Sequence, residues 1–272
     1  MSARRLSLSV VAAAAVCSAV ACETAPTDPD AVFSLGAAPL PFPSVVAGDT
    51  LRNEDGAAVP VVATAYNGRG EPVAGASVVY FSNDPDITIE NGIVVAGSDG
   101  EPGRQVRVFA TAGRMTVELS SQSPLRVIQE PVLLEPVGEV PDSVSWSAPS
   151  VRSEPMEVAL TSAAVGEAPA GEPVAGWLVR YTLSFRGSTL EPEDARFRVV
   201  APGGTGEVVS PVDTTGSDGR ASREVVVLDP SGVEPGESLT VMISARVRGS
   251  DLAGSPIELP LRLTASVPPP PE

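Results

Sequence analysis

The chain has 272 residues with 34 acidic and 18 basic side chains, no histidine and two cysteines, for a formal charge of −16. Every basic residue is arginine, so imidazole-activated nucleophiles, lysine Schiff bases and ordinary His/Cys zinc sites are excluded at once. The acidity disfavours nucleic acid and direct adhesion to an anionic lipid surface, and leaves cations, basic protein patches and neutral glycans open as partners.

At the start, Arg4 and Arg5 precede an apolar run from Leu6 to Val16 and then small residues up to Cys22. That is the tripartite layout of an export signal, too short for a stable membrane span, and residues 1–21 are read as a signal peptide. Ala19-Val20-Ala21-Cys22 resembles the lipobox of bacterial lipoproteins, although Ala19 stands where that family prefers Leu. The resemblance implies a covalent lipid on Cys22, which becomes the mature N-terminus and the route to a membrane. Cys17 competes poorly because Val16 is bulky where the peptidase wants a small residue. An ordinary cleavage near Ala21 without lipid is the plainer alternative. Glu23, rather than Asp, follows the cysteine, which by the same resemblance favours the outer membrane or cell surface over the inner membrane. With Cys17 and Cys22 the only cysteines, the mature chain has no internal disulfide, and folding rests on core burial.

Residues 22–43 are rich in Pro and small side chains and read as a lipid-anchored tether. Beyond them no long helical pattern occurs. Period-two alternation marks strands at Val59 to Tyr66, Ser77 to Ser82, Arg104 to Ala112, Met115 to Leu119, Leu178 to Phe185, Arg223 to Leu228 and Leu239 to Val247. In the third of these, Val106, Val108 and Ala110 share one face. Asn67-Gly68, Asn91-Gly92, Asp99-Gly100 and Asp218-Gly219 punctuate them with residues that tolerate positive φ. Pro131 to Pro141 reads as a hinge and residues 268–272 as a polyproline tail.

An internal repeat organises these strands. Gly70-Glu71-Pro72-Val73-Ala74-Gly75 recurs letter for letter as Gly171-Glu172-Pro173-Val174-Ala175-Gly176, 101 residues on, followed by Val78 and Tyr80 against Val179 and Tyr181. Gly97-Ser98-Asp99-Gly100 recurs as Gly216-Ser217-Asp218-Gly219 at a displacement of 119, and Met115 to Ser120 parallels Leu239 to Ser244 at 124. A displacement near one hundred fits one β-sandwich per copy. Its growth places an insertion within Ser188 to Thr215 of the second copy, as an extra hairpin or a longer loop. The order of a strand, a G-x-PVAG turn, a V-x-Y strand and a later S-D-G turn resembles the bacterial immunoglobulin-like domains of invasin and intimin type (Big-1-like). Asn67 to Val73 and Asp218-Gly219-Arg220-Ala221 fit that family's two turns best.

The expected fold is therefore all-β: two tandem immunoglobulin-like antiparallel β-sandwiches, at 44–132 and 143–267, joined by a linker at 133–142. Trp146 and Trp177 are candidates for a ligand-binding surface, whereas Tyr80 and Tyr181, at one repeat position, read as core. Asp84 and Asp86 offer oxygens for calcium, as Asp28 and Asp30 do, but turn chemistry explains both strings and neither has the order of a dedicated calcium loop. Asp213-Thr214-Thr215-Gly216-Ser217 superficially resembles an aspartic-protease motif with the spacing spoiled, and Glu191, Glu193 and Asp194 read as a solvated loop. These observations point away from an enzyme, with no cofactor, and towards a cell-envelope spacer, adhesin-like or scaffold protein whose partner is a protein or glycan. The rivals are a glycan- or peptidoglycan-binding lipoprotein and a carboxylate-based hydrolase.

Overall fold

The computed structural model describes residues 31–98, 102–120, 124–138, 143–146, 151–163, 171–203, 208–229, 237–248 and 252–265. The signal peptide, Cys22, Asp28, Asp30, the Asp99-Gly100 turn and the polyproline tail lie outside them. Every regular element among them is a strand. In the first half these are β1 (Ser34–Ala37), β2 (Ser44–Val46), β3 (Ala63–Tyr66), β4 (Val79–Ser82), β5 (Ile87–Glu90), β6 (Ile93–Ala96), β7 (Gln105–Val106), β8 (Val108–Ala112), β9 (Met115–Glu118) and β10 (Leu125–Ile128). In the second half they are β11 (Pro131–Val137), β12 (Ser143–Trp146), β13 (Val151–Arg152), β14 (Met156–Ser162), β15 (Leu178–Phe185), β16 (Ser188–Thr189), β17 (Phe197–Val200), β18 (Val212–Thr214), β19 (Arg220–Val227), β20 (Ser238–Val247) and β21 (Ile257–Ala265).

The chain divides into two compact units. The smaller collects the described residues of Met1–Ala37, Ala63–Val79 and Ala110–Val117. In it β1 runs antiparallel to β3, with Ser34 opposite Tyr66 and Leu35 opposite Ala65. The turn after β3 is closed by Asn67, whose Oδ1 accepts from the amides of Arg69 (2.9 Å) and Glu71 (3.0 Å), a side-chain mimic of a backbone turn. The chain then folds back so that the Val73 amide donates to Ala65 O at 2.9 Å.

The larger unit holds Ala38–Val62, Tyr80–Phe109 and the described part of Glu118–Glu272. Its β5–β6 hairpin turns on Asn91 and Gly92, at φ 51° and 80°, the left-handed pair that a two-residue turn matching strand twist requires. Strand β2 runs parallel to β10, which is antiparallel to β7. Strands β4, β8 and β9 pair in the order β4-β8-β9, and β11 to β21 make two sheets, one ordered β11-β14-β19-β13 with β17 also on β19, the other β12-β21-β20-β15-β16 with β18 also on β15. Burial alternates along both: Met156, Val158 and Leu160 on β14, and Val241, Ile243 and Ala245 on β20, are buried. Each of the Met, Val, Leu and Ile side chains among these, taken from water, contributes about 1.5–3 kcal/mol. The sheets cover each other's inner faces, and the Tyr181 hydroxyl on β15 donates to Ala221 O on β19 at 2.9 Å.

The pairing registers show where each copy begins. The Val174 amide donates to Leu160 O at 2.9 Å as the Val73 amide does to Ala65 O, and Leu134 lies opposite Leu160 as Leu35 lies opposite Ala65. Strand β11 is thus the second copy's counterpart of β1. This corrects two boundaries. Ser34–Ala37, expected in the 22–43 tether, is a paired strand, and so is Pro131–Val137, which was expected to be hinge and linker at 133–142. The prolines of β11 are tolerated because it lies at a sheet edge, where an absent N–H breaks no ladder. Residues 139–142 lie outside the described residues.

Two pairings also depart from an all-antiparallel sandwich: β2 with β10 and β12 with β21 are parallel, joining an early strand of each copy to its last. The insertion within Ser188 to Thr215 is neither one hairpin nor one loop. It supplies β16 and β18 to β15 and β17 to β19, so it extends both sheets. Val106, Val108 and Ala110 are fully buried as their alternation requires.

Candidate functional site

A cluster of hydrogen bonds and ring contacts in the larger unit forms around Trp177, the residue that follows the second Gly-Glu-Pro-Val-Ala-Gly block. Thr215 positions its backbone: the Trp177 amide donates to Thr215 Oγ1 (2.9 Å), the Thr215 amide donates to Trp177 O (2.8 Å), and the Thr215 hydroxyl donates to Val174 O (2.7 Å). Ser44, buried at the start of β2, donates its hydroxyl to Gly176 O at 2.8 Å. Phe42, just before β2, meets the Trp177 ring edge-on with centroids 4.9 Å apart. Arg248, just past β20, lays its guanidinium Cζ 4.2 Å from the Phe42 centroid and 4.3 Å from that of Trp177. Its Nη1 donates to Arg52 O (2.7 Å) and Asn53 O (3.2 Å). No carboxylate among the described residues forms an ion pair with it; burial, only partly offset by the nearby Asp49 charge, pushes its pKa down to about 10, so it remains a cation at neutral pH, held by two rings and two carbonyls.

Beside this clasp lies a cleft of ≈ 730 Å³. Arg52 pairs with Asp49 in it at 3.0 Å, and that guanidinium holds the Asp49 carboxyl below its usual range. Arg180 pairs with Glu54. Arg246, also lining the cleft, is exposed and has no hydrogen-bond or ion-pair partner among the described residues.

The residues singled out in the sequence fare differently. Trp177 is 2 % exposed, which corrects its candidacy as an exposed sugar-stacking ring: both neighbours of its indole are already a phenyl ring and a guanidinium. The Trp146 backbone pairs with Ala265, and its side chain lies outside the described residues. Asp84 and Asp86 share one arginine, Arg104, whose Nε is 2.8 Å from Asp84 and whose Nη2 is 3.6 Å from Asp86. The Asp86 amide also donates to Asp84 Oδ1 at 2.9 Å. A turn amide and a guanidinium engage both Asp84 oxygens, while the Asp86 carboxylate faces the same arginine at longer range and is open to solvent.

The carboxylates weighed for acid–base work are committed elsewhere or open to solvent. Asp213 accepts from the Ser222 amide (2.7 Å) and pairs with buried Arg223 (2.9 Å). Asp194 caps the turn before β17 by accepting from the Arg196 and Phe197 amides, and Glu191 and Glu193 are exposed. Tyr181 is core, at 1 % exposure, with its phenol pushed above the usual value by burial, whereas Tyr80 is half-buried. The reading of the sequence missed Arg248, Phe42 and Arg52. Phe42 fell in a Pro-rich stretch assigned to the tether, and the only signal for Arg248 was the Arg246-Val247-Arg248 alternation at the end of a strand.

No family model and no curated protein matches the chain. Solved structures similar to it include a chimeric titin Z1Z2 (13% identity, TM-score 0.29), covering 87% of this chain and 99% of that one. Domains 5-6 of the S-layer protein SbsC have 11% identity, a TM-score of 0.26 and the same two coverages. Sidekick-1 immunoglobulin domains 1-5 have 9% identity and a TM-score of 0.29, over 86% of this chain and 40% of that one. Likeness at this level says nothing about activity or partner, and the fold class rests on the strands' own pairing. By that pairing the chain is all-β, a tandem of immunoglobulin-like β-sandwiches.

Proposed function

We propose that this chain is a non-enzymatic, lipid-anchored protein of the cell envelope, with immunoglobulin-like modules of the bacterial invasin and intimin type serving as a spacer or scaffold. The observation that carries this reading is the Arg248 clasp. Phe42 and the Arg52 and Asn53 carbonyls, from the first half of the chain, are bound to Trp177 and Arg248 in the second by ring stacking and hydrogen bonds. The continuation of the chain between the halves is itself a paired strand, β11. The clasp thus ties residues of the two halves together within the larger unit, which suits a framework role. The commitment of Asp213 and Asp194 to ion pairing and capping fits a framework better than acid–base chemistry.

The anchor is the part of the proposal that sets location, and Cys22 carries it, with Glu23 directing the protein to the outer membrane or cell surface. Replacing Cys22→Ser and fractionating cells tests this directly. The variant is expected to leave the membrane fraction while the unaltered chain stays in it. Membrane retention of the variant at the unaltered level would refute the anchor.

A further inference from the structure

We infer that the cleft beside the Arg248 clasp is a binding site for a small oxyanion-bearing ligand, a carboxylate or a phosphate, received by the guanidiniums of Arg246 and Arg248. Three observations converge on it. First, Arg246 on β20 lies directly opposite Arg180 on β15, and like charges in that position oppose pairing. The protein compensates only one of the two: Arg180 is taken by Glu54, and Arg246 is left in the cleft wall with no partner among the described residues.

Second, Arg248 is two residues further along the strand direction, on the same side, and no carboxylate among the described residues is ion-paired to it; the nearby Asp49 acts on its charge but is itself bound to Arg52. Its Nη1 is committed to the Arg52 and Asn53 carbonyls, while Nε and Nη2 have no acceptor among the described residues. The flanking rings of Phe42 and Trp177 fix the guanidinium plane. An oxyanion therefore meets a donor whose orientation is already set, and little ordering remains to be done on binding. Third, the cleft volume of ≈ 730 Å³ lies within the range of small-molecule sites.

Its acids do not cancel this. Asp49 and Glu54 are bound to Arg52 and Arg180, and Asp55 and Glu130 are exposed members of the lining. The cleft is balanced in formal charge, so the unpaired guanidiniums select the ligand locally, rather than any general positive potential. In a chain of net charge −16, such a site is confined to where it is built. The inference needs no lipid anchor and stands or falls apart from it.

Isothermal titration of the full chain at low ionic strength with succinate and, separately, inorganic phosphate tests it. Saturable binding of at least one probe is expected, weakened about tenfold by Arg246→Gln, the size of one charge-assisted hydrogen bond, and weakened by added salt. Arg262→Gln, an exposed arginine outside the cleft, is expected to bind as the unaltered chain does. Succinate binding alone assigns a carboxylate, phosphate binding alone a phosphate, and binding of both a site that reads the oxyanion only. Absence of saturable binding by either probe, or equal weakening in the Arg246 and Arg262 variants, overturns the proposal.

Discussion

The two copies of the repeat share their turns and differ in what surrounds them. Both Gly-Glu-Pro-Val-Ala-Gly blocks return a valine amide to the preceding strand at 2.9 Å. Yet the first glycine of each block is required for a different reason. Gly70 holds φ at +78° with nothing near a would-be side chain, so its role is conformational. A Cβ on Gly171 would fall 1.7 Å from Ser162 O, so its role is close approach. The residue after the block is Ala76 in one copy and Trp177, the ring of the clasp, in the other. Strands lengthen as well: β15 has eight residues and β20 ten, against four each for β4 and β9. What the two copies retain is backbone geometry, while burial and side-chain partners have diverged.

The sharpest way to break that comparison is to truncate matched leucines. Leu134 on β11 is 1 % exposed and lies opposite buried Leu160. Leu35, its counterpart on β1, is half-buried opposite Ala65. Leu134→Ala is expected to cost about 2–5 kcal/mol in urea denaturation, because atoms are lost and a cavity is left. Leu35→Ala should cost roughly half as much or less, in proportion to the apolar area it had buried. Equal losses would show that the first copy's opening strand is as deeply packed as the second's.

That pair also shows what the sequence made legible. Strands with clean alternation, such as Leu178–Phe185, and turns with Asn-Gly could be read directly, because period and turn chemistry are local. Strand β14 also alternates, with Met156, Val158 and Leu160 inward, and was missed although the signal was present. Strands β1 and β11 were hidden for a physical reason: prolines and small residues in Leu35 to Pro43 and Pro131 to Pro141 read as tether and hinge. Edge position, which makes Pro acceptable, is a property of the sheet and not of the segment. The clasp was hidden more deeply. Phe42, Trp177 and Arg248 are brought together only by folding, and no spacing rule links them. The exposure expected of Trp177 failed because its cover comes from residues far away in the chain.

A second test concerns the feature that the second copy has and the first lacks. Arg248→Ala removes a guanidinium stacked on two rings and two hydrogen bonds to carbonyls, and is expected to cost about 1–2 kcal/mol. Chemical denaturation reads the loss, and a red shift of tryptophan emission reports water reaching Trp177. Loss of stability without a shift would mean that Phe42 alone keeps the indole covered.

The smallest expected effect lies at the repeat position where both copies carry tyrosine. Tyr181→Phe removes a buried hydroxyl that donates to Ala221 O and leaves that carbonyl short of a donor, for about 1 kcal/mol. Tyr80→Phe, at a half-buried position, should cost less. The Tyr181 substitution also has a pH signature. Burial raises the Tyr181 phenol above its ordinary value of 10.0, so from about that pH upward the unfolded chain releases a proton that the folded chain keeps. Stability from this group is therefore complete below pH 10 and declines as pH rises beyond it. Tyr181→Phe should flatten that alkaline decline in denaturation midpoints measured between roughly pH 9 and 11, the range spanning the ordinary tyrosine value. An unchanged decline in the Tyr181 variant would move the alkaline sensitivity to another group.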